Sequence, residues 1–245
     1  TSPSFITALG HCDASFDGKC KSHGISEFAL AVKTLRRNHF SLLSQNVRSL
    51  DANFDKLEEF LQNVNEKTTN SFLFSVIALQ ETWNFKLDHV VPHYQKIIAK
   101  TRSRFNGGGI GFFVREDIEV EVVEEASIFE ERVHEILFIR VIGKNGSGIV
   151  IGNIYRPNTH PFENRARSLE LTLSSLDKIR HRFKRDKVLL VGDFNIDLKK
   201  VLDDDGTLTF ASELVARGYV EQITLPTRVE NISETIIDHV WTRDL

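Results

Sequence analysis

The sequence has few of the features that would set it apart from ordinary globular proteins. It contains no methionine and only two cysteines, Cys12 and Cys20, in 245 residues. So few cysteines exclude a disulfide-rich scaffold, and these two either pair with each other or remain free thiols. No apolar run approaches the roughly 20 residues that cross a bilayer, so we expect no membrane partner. The missing start methionine favours a segment of a longer polypeptide.

An excess of charge of one sign is also missing. The formal net charge is -3, with 41% hydrophobic and 27% charged residues, which is typical of a domain with a sizeable core. This balance argues against a general nucleic-acid coat protein, but an enzyme needs only a local basic groove. Two arginine pairs are candidates for such a groove: Arg102 with Arg104, and Arg165 with Arg167. The basic run 180–187 is more typical of a solvated helix face.

Helices alternate with strands at both ends of the chain, and short β-rich runs fill the middle. Residues 1–37 are interpreted as an N-terminal extension, and residues 38–245 as one domain. Strands are predicted at 39–47, 72–81 and 188–192, and helices after Ser49, from about 163 to 184, and around 209–217. The runs between 107 and 158 are separated by Gly, Asp and Asn, which indicates antiparallel hairpins. Buried strands with one-sided helices predict sheets that are covered by helices.

Polar side chains follow several of the apolar strands at the point where each strand ends. Asn46, Glu81 and Tyr155 end three of them, and "VLLVGDFN" runs into Asp193 and Asn195. Any one of these is more often turn chemistry than catalysis. Together they favour a site that is built on strand ends, because rigid strands hold loop side chains in place.

The last strand contains an acid and an imidazole in "TIIDHVWT". Burying Asp238 beside apolar neighbours costs free energy unless the carboxylate is paired. The simplest structural explanation is a satisfied pair of Asp238 and His239 in the core, and the alternative is a place in a catalytic site.

Phosphodiester hydrolysis is the chemistry that these residue types suit. Mg²⁺ prefers oxygen ligands and takes one or two carboxylates while keeping waters, so Glu81 and Asn46 are predicted metal ligands. An Asp or His would position or deprotonate water, and Asn195, Tyr155 and His239 would donate hydrogen bonds to phosphate oxygens. The sequence lacks the cysteines and clustered histidines of a zinc centre. "GGGIG" also lacks the following lysine of a nucleotide-binding loop.

The order of motifs resembles the endonuclease/exonuclease/phosphatase superfamily, which includes abasic-site endonucleases, DNase I and neutral sphingomyelinases. The motifs are "SQNVRSL", "LQETW", "IYRPN", "GDFN" and "IDHVW", and they span roughly residues 38–243. "NIYRPN", "LPTR" and "TIIDHVWT" are most similar to the endonuclease domain of non-LTR (LINE-type) retrotransposons. The resemblance implies a DNase I-like α/β fold: a four-layer α/β sandwich with two mixed sheets face to face and helices outside.

The resemblance also implies a role for each matched residue. Asn46 and Glu81 would hold Mg²⁺, for which Mn²⁺ could substitute, and Asp238 would lie near the metal or the water. Asp193 would orient or activate the water with help from Asn195. Tyr155 and His239 would contact the scissile phosphate.

The remaining expectations have open alternatives. Glu221 stands where family members carry an aspartate that orients the catalytic histidine, and it either serves that role or lies at the surface. Arg156 and Arg228 either contact the DNA backbone or brace a loop, and Asn153 is a further expected DNA contact.

The implied function is nicking of double-stranded target DNA, which leaves a 3′-hydroxyl that primes reverse transcription. The domain would be fused to a reverse transcriptase, made in the cytoplasm, active in the nucleus, and monomeric in isolation. An abasic-site repair endonuclease is the main alternative. A lipid or inositol phosphodiesterase of the same fold and a non-catalytic module are weaker ones.

Overall fold

The computed structural model describes residues 5–7, 20–33, 40–68, 72–86, 88–104, 106–143, 146–158, 162–230 and 233–245. Cys12 lies outside these ranges, and Cys20 is a free, half-buried thiol. No helix in the described part of the chain is both long enough and apolar enough to cross a membrane.

The described residues form helices and strands in the following order along the chain. The helices are α1 (Ile25–Lys33), α2 (Leu50–Lys67), α3 (Phe162–Arg182), the short 3-10 helix η1 (Leu198–Lys200) and α4 (Asp205–Ala216). The strands up to the middle of the chain are β1 (Phe5–Thr7), β2 (Lys21–His23), β3 (Leu42–Asn46), β4 (Val76–Gln80), β5 (Ile98–Lys100), β6 (Ile110–Val114), β7 (Val120–Val122) and β8 (Ile128–Glu130). The later strands are β9 (His134–Ile142), β10 (Gly148–Tyr155), β11 (Lys187–Asp193), β12 (Val220–Glu221), β13 (Arg228–Glu230), β14 (Ser233–Thr235) and β15 (Asp238–Arg243).

Two sheets lie face to face at the centre of the molecule. The small sheet has the strand order β3-β4-β6-β5, and the large sheet has the order β12-β15-β11-β10-β9-β7, with β8 also paired to β9. The apolar layer between them includes Ala78, Phe112, Leu137, Ile151 and Val191, which come from both sheets. These residues alternate along their strands with residues that face the helices, as the two-residue period of a strand requires.

Helices cover the outer face of each sheet. On the small sheet, α2 buries Leu50, Phe54, Leu57 and Val64, which recur at helical spacing, and Phe28 of α1 joins the same core. On the large sheet, α3 and α4 bury a second set that includes Leu176 and Leu214. The order of layers is therefore helix, sheet, sheet, helix, which confirms the predicted four-layer sandwich.

Each sheet contains one parallel pair of strands that is joined through a helix. β3 and β4 are parallel and α2 connects them, while β10 and β11 are parallel and α3 connects them. The strands between 98 and 155 pair antiparallel, as the hairpin pattern predicted. The carboxyl ends of β3, β4, β10 and β11 carry the polar residues that were singled out in the sequence, and such ends are the usual place for sites in α/β sheets.

Helix starts follow capping residues. The Ser49 side chain accepts a hydrogen bond from the backbone N–H of Ala52 and begins α2, as predicted. The Asp204 carboxylate accepts from the N–H of Thr207, so α4 begins at Asp205 and not near 209. The hydrophobic pattern alone had indicated the later start.

Asn153 joins the two sheets through polar contacts in an otherwise apolar layer. Its Oδ1 accepts from Gln80 Nε2 at 2.7 Å, and its Nδ2 donates to the carbonyls of Leu79 at 2.9 Å and Gly111 at 3.0 Å. The side chain is fully buried. Because its polar atoms are satisfied within the protein, the expectation that Asn153 contacts DNA is wrong.

Replacing Asn153 with alanine is expected to lower the free energy of unfolding by roughly 2–4 kcal/mol, because the Gln80 amide and a carbonyl would be left buried without partners. Urea unfolding at pH 7.5 measures this loss. Asn158→Ala, at an exposed position just beyond β10, is the matched control and should change stability by less than about 0.5 kcal/mol. Equal effects of the two substitutions would contradict the bridging role of Asn153.

Candidate active site

One row of polar residues crosses the large sheet at the ends of its strands. The strand register places Glu135 beside Tyr155, Tyr155 beside Asp193, and Asp193 beside Asp238. Residues in register on neighbouring strands lie on the same face of a sheet. Their neighbours Leu137, Ile151, Val191 and Val240 belong to the layer between the sheets, so this row faces the small sheet.

Asn46 and Glu81 complete the cluster from the small sheet. Asn46 Nδ2 donates to Glu81 Oε1 at 2.7 Å and to Asp193 Oδ2 at 2.9 Å. Asn46 Oδ1 accepts from the backbone N–H of Arg48 at 3.2 Å. A single amide therefore holds carboxylates of both sheets together, although 147 residues separate Asn46 from Asp193.

Several backbone positions of the cluster have left-handed conformations. Glu81 has φ +52° and Asn195 has φ +48°, values that are uncommon for residues with side chains and that cluster at functional sites. Gly192 has φ +135°, and a Cβ there would lie 2.0 Å from the carbonyl oxygen of Ile154. Only glycine can therefore bring β11 this close to β10 immediately before Asp193.

Burial raises the pKa values of the two neighbouring carboxyl groups, Asp193 and Asp238. The pKa of Asp193 is raised to about 7, first by burial and then by the negative charge of Asp238. Burial also raises the pKa of Asp238, which a hydrogen bond with Thr227 and the charges of Arg228 and Arg48 partly offset. Two like charges in one buried place favour a proton or a cation between them.

The remaining cluster members are held by nearby groups. Burial, followed by the charges of Glu81 and Asp193, raises the pKa of Tyr155, which keeps its phenol protonated. The backbone N–H of Asn195 donates to Asp193 Oδ1 at 3.0 Å, and its side-chain amide donates to the carbonyl of Arg156. The Asn195 amide is therefore engaged in bracing the loop, while its main chain orients Asp193.

The oxygen donors of the cluster fit a hard divalent cation. Glu81, Asp193 and Asp238 supply carboxylates, and a cation would relieve the repulsion that raises the pKa of Asp193. Among the described residues, no group of three or more His, Cys, Asp and Glu is arranged to hold a metal by itself. The cluster therefore suits an ion that binds one or two carboxylates and completes its coordination with water or substrate oxygens, as Mg²⁺ usually does.

His239 is not brought into the cluster. Adjacent residues of a strand point to opposite faces, so Asp238 faces the small sheet while His239 faces the helices. Its ring stacks on Phe194 with centroids 4.7 Å apart, Nε2 lies 2.8 Å from the carbonyl oxygen of Ile196, and Nδ1 accepts from Trp241. Burial lowers its pKa to about 4. The expected contact between His239 and the phosphate therefore has no support in this arrangement.

Glu221 does not orient His239 either. Its Oε1 accepts from the backbone N–H groups of Gln222, Ile223 and Val240, and it contacts no imidazole. It is a buried carboxyl group that fastens the edge strand β12 to β15. The expected orienting role is corrected to a structural one.

The structure gives Arg156 and Arg228, the two expected DNA contacts, different surroundings. Arg156 is buried and donates from Nε to the carbonyl of Phe194 at 2.7 Å and from Nη2 to that of Asn195, so it braces the loop after β11. The structure therefore shows the bracing alternative for Arg156. Arg228 lines a groove of about 670 Å³ beside the cluster. The walls of this groove also carry the cations Arg156, Arg165 and Lys200 and the carboxylates of Asp197, Asp204 and Asp205.

Sequence reasoning missed Glu135, which lies inside a strand, and three residues near the predicted motifs: Arg48, Thr227 and Trp83. Arg48 and Thr227 both act on Asp238, and Trp83 Nε1 lies 3.4 Å from Glu81 Oε2. Arg48 and Trp83 each follow a predicted strand-end residue by two positions, and Thr227 belongs to the quoted "LPTR" motif. Proximity to those motifs was the only available signal.

The comparisons with known proteins identify the family of the chain and its fold. A family model described as the endonuclease/exonuclease/phosphatase family matches residues 43–245. Among curated protein sequences, none matches the chain significantly.

Solved structures that resemble the chain share its fold at low sequence identity. The endonuclease domain of TRAS1, a telomere-specific non-LTR retrotransposon, superposes with a TM-score of 0.58 at 13% identity, over 82% of this chain and 83% of that one. The 3′ phosphatase NExo from Neisseria, bound to product DNA hairpin, has a TM-score of 0.59 at 14% identity over 84% and 87%. The APE2 catalytic domain of Xenopus laevis has 0.56 at 15% over 84% and 82%. At these identities the likeness shows the fold alone.

Glu221→Gln is expected to change how stability depends on pH. Burial raises the pKa of Glu221 from 4.5 to about 8 in the folded protein. Its stabilising contribution is therefore complete below pH 4.5 and is lost as the pH rises through 8. The glutamine should raise the melting temperature at pH 8 relative to the unmodified chain, and have little effect at pH 4.5. Glu59→Gln, on the exposed face of α2, is the control; parallel pH curves for Glu221→Gln and the unmodified chain would contradict the assignment.

His239→Phe should behave as a core substitution. Phenylalanine can stack on Phe194 but leaves the carbonyls of Ile196 and Ile236 without their donor, so we expect about 1–3 kcal/mol less stability at pH 7.5. The lowered pKa of His239 supplies stability that is present above pH 6.5 and lost as the pH falls through 4. The variant should therefore show a shallower acid-side loss in urea unfolding. The exposed His181→Phe serves as control, and a stability unchanged by His239→Phe would show that the ring is not part of the core.

Proposed function

Because the chain belongs to the endonuclease/exonuclease/phosphatase family, a family of hydrolases, we propose that it is a divalent-metal-dependent DNA endonuclease of a non-LTR retrotransposon. It would nick one strand of double-stranded target DNA and leave a 3′-hydroxyl that primes reverse transcription. The observation that carries the proposal is the contact of Asn46 with Glu81 and Asp193, which brings amide and acid groups of both sheets beside the phenol of Tyr155.

In this proposal each residue of the cluster has its own role in hydrolysis. Glu81 would hold Mg²⁺ or Mn²⁺, which supplies charge neutralisation at the phosphate when bound. Asn46, whose Nδ2 faces Glu81 and Asp193, would add its oxygen to the ion only after its side-chain amide turns over. Asp193, which is held by the Asn46 amide and the backbone N–H of Asn195, orients the attacking water and accepts its proton. Tyr155 remains protonated and donates to a phosphate oxygen as charge develops.

The remaining residues act through these groups or on the DNA. Asp238 lies beside Asp193 and either shares its proton or adds a metal ligand. Asn195 orients Asp193 through its backbone N–H. Arg228 and Lys200 would contact the DNA backbone from the 670 Å³ groove, where Arg165 is paired with Asp204.

The retrotransposon assignment is supported by two observations together. The motifs "NIYRPN", "LPTR" and "TIIDHVWT" resemble those of LINE-type endonuclease domains, and the TRAS1 endonuclease domain has the same fold. We therefore also propose fusion to a reverse transcriptase, action in the nucleus after synthesis in the cytoplasm, and a monomeric isolated domain. NExo and APE2 have the same fold, so repair activity at abasic sites is the second candidate.

The test of catalysis is nicking of supercoiled plasmid. With Mg²⁺ we expect conversion to open circles, with chelator no conversion, and with Asp193→Asn a loss of at least about 100-fold, as for removal of an acid–base group. An exposed control, Asp55→Asn on α2, should retain full activity. Metal-independent nicking, or full activity of Asp193→Asn, would refute the proposed site. Cleavage of an abasic oligonucleotide much faster than an intact duplex would favour the second candidate.

Metal binding can be tested without activity. A ligand that binds only the folded state raises the melting temperature by mass action, so Mg²⁺ should stabilise the protein in a concentration-dependent manner. Glu81→Gln should abolish most of that shift, and Asp55→Asn should not. An equal shift in Glu81→Gln would place the ion elsewhere.

A further inference from the structure

Trp83 is an exposed aromatic residue at the mouth of the cluster. Its side chain is 38% exposed, whereas the other tryptophan, Trp241, is 2% exposed. Its Nε1 donates to Glu81 Oε2 at 3.4 Å, so the indole lies directly beside a carboxylate of the proposed metal site. We propose that Trp83 is a stacking platform for a nucleobase next to the scissile phosphate, an inference that rests on the proposed nuclease function.

The backbone of Trp83 is held in an unfavourable conformation. Its φ is +58°, a value that bulky side chains rarely adopt. The N–H of Trp83 donates to the carbonyl of Gly108 at 2.7 Å, and that of Thr82 donates to Gly109 at 3.1 Å. A Cβ at Gly109 would lie 2.5 Å from Thr82 Oγ1, so the turn 107–109 can approach only because it is glycine. Such strain persists where the surrounding structure enforces it, often at ligand-binding positions.

A buried ion pair fixes the glycine turn to the rest of the site. Arg102 Nε donates to Glu135 Oε1 at 2.5 Å, and Glu135 Oε2 accepts from the N–H of Gly109 at 2.7 Å. The Arg102 guanidinium lies 6.0 Å from the ring centroid of Tyr155 and directly beneath Gly108. Tyr155, the ion pair, the turn and Trp83 therefore form one continuous set of contacts, which holds the indole in a constant position relative to the catalytic groups.

The chemistry of this position favours a nucleobase over other occupants. A planar apolar face suits stacking, which every base can provide regardless of sequence. The neighbouring carboxylate of Glu81 disfavours a phosphate at the indole itself. A metal at the cluster would draw the scissile phosphate to Glu81, and the base attached to the adjoining sugar would then lie within reach of Trp83.

The two tryptophans allow a direct measurement of the contact. We expect a duplex oligonucleotide, added with Mg²⁺ to protein that carries Asp193→Asn to suppress cleavage, to quench the fluorescence of exposed Trp83 while buried Trp241 provides a constant background. The quench should disappear in Trp83→Phe. Trp83→Ala should bind the duplex about 5- to 150-fold more weakly by fluorescence anisotropy of a labelled strand, the range typical for loss of one base stack.

Controls separate this contact from general damage to the protein. Val90→Ala removes another exposed apolar side chain, at 71% exposure, and should leave DNA affinity unchanged. Trp83→Phe and Trp83→Ala should keep the Mg²⁺-dependent rise in melting temperature, which shows that the cluster is intact.

The outcomes distinguish this inference from the proposed function. Quenching and weakened binding of Trp83→Ala support base stacking at Trp83; if plasmid nicking is absent as well, the nuclease proposal fails, and with it the placement of that base beside a scissile phosphate. Metal-dependent nicking by the unmodified chain, with unchanged affinity in Trp83→Ala and no quench, overturns the platform and leaves the nuclease proposal standing. Absence of any DNA binding overturns both.

Discussion

The site depends on one hydrogen-bonded amide that joins the two sheets. Asn46 ends a strand of the small sheet and donates to Glu81 of the same sheet and to Asp193 of the other. These contacts exist only because the apolar layer between the sheets sets their separation and brings the carboxyl ends of β3, β4, β10 and β11 to one edge. The catalytic arrangement is thus a consequence of sheet packing, and a change in the inter-sheet layer would move both halves of the site.

Two neighbouring carboxyl groups are tolerated at that edge because nearby hydrogen-bond donors and positive charges stabilise them. Asp193 and Asp238 are neighbours in register; burial raises the pKa of each, and the charge of Asp238 raises that of Asp193 further. The Asn46 amide, the backbone N–H of Asn195 and the Thr227 side chain stabilise the carboxylates, and Arg48 and Arg228 add positive charge. What remains uncompensated is a buried group that readily takes up a proton or a cation, a property that the proposed phosphodiester hydrolysis would use.

Several buried polar residues support the proposed site without belonging to it. Arg156 fixes the loop after β11, Asn153 ties the sheets together, and the Arg102–Glu135 pair holds the glycine turn. Each is a polar residue that is buried with partners, so each contributes to geometry more than to contact with substrate. In the sequence such residues look the same as catalytic ones, because both are polar groups at the ends of apolar strands.

The amino-acid sequence by itself determined the main helices and strands, apart from the start of α4, and its motifs identified the family, whose resemblance implied the helix, sheet, sheet, helix order of layers. It also identified the strand-end residues Asn46, Glu81, Tyr155, Asp193 and Asp238, which the fold brings together. Hydrophobic periodicity, helix caps and strand-end residues depend only on residues that are close together in the sequence, so they can be recognised without a structure. Only the tertiary structure decided which face of the last strand meets the site, and it turned Asp238 toward the cluster and His239 into the helix-facing core. It also assigned Asn153, Arg156 and Glu221 to bracing, because burial and hydrogen-bond partners depend on segments that lie far apart in the chain.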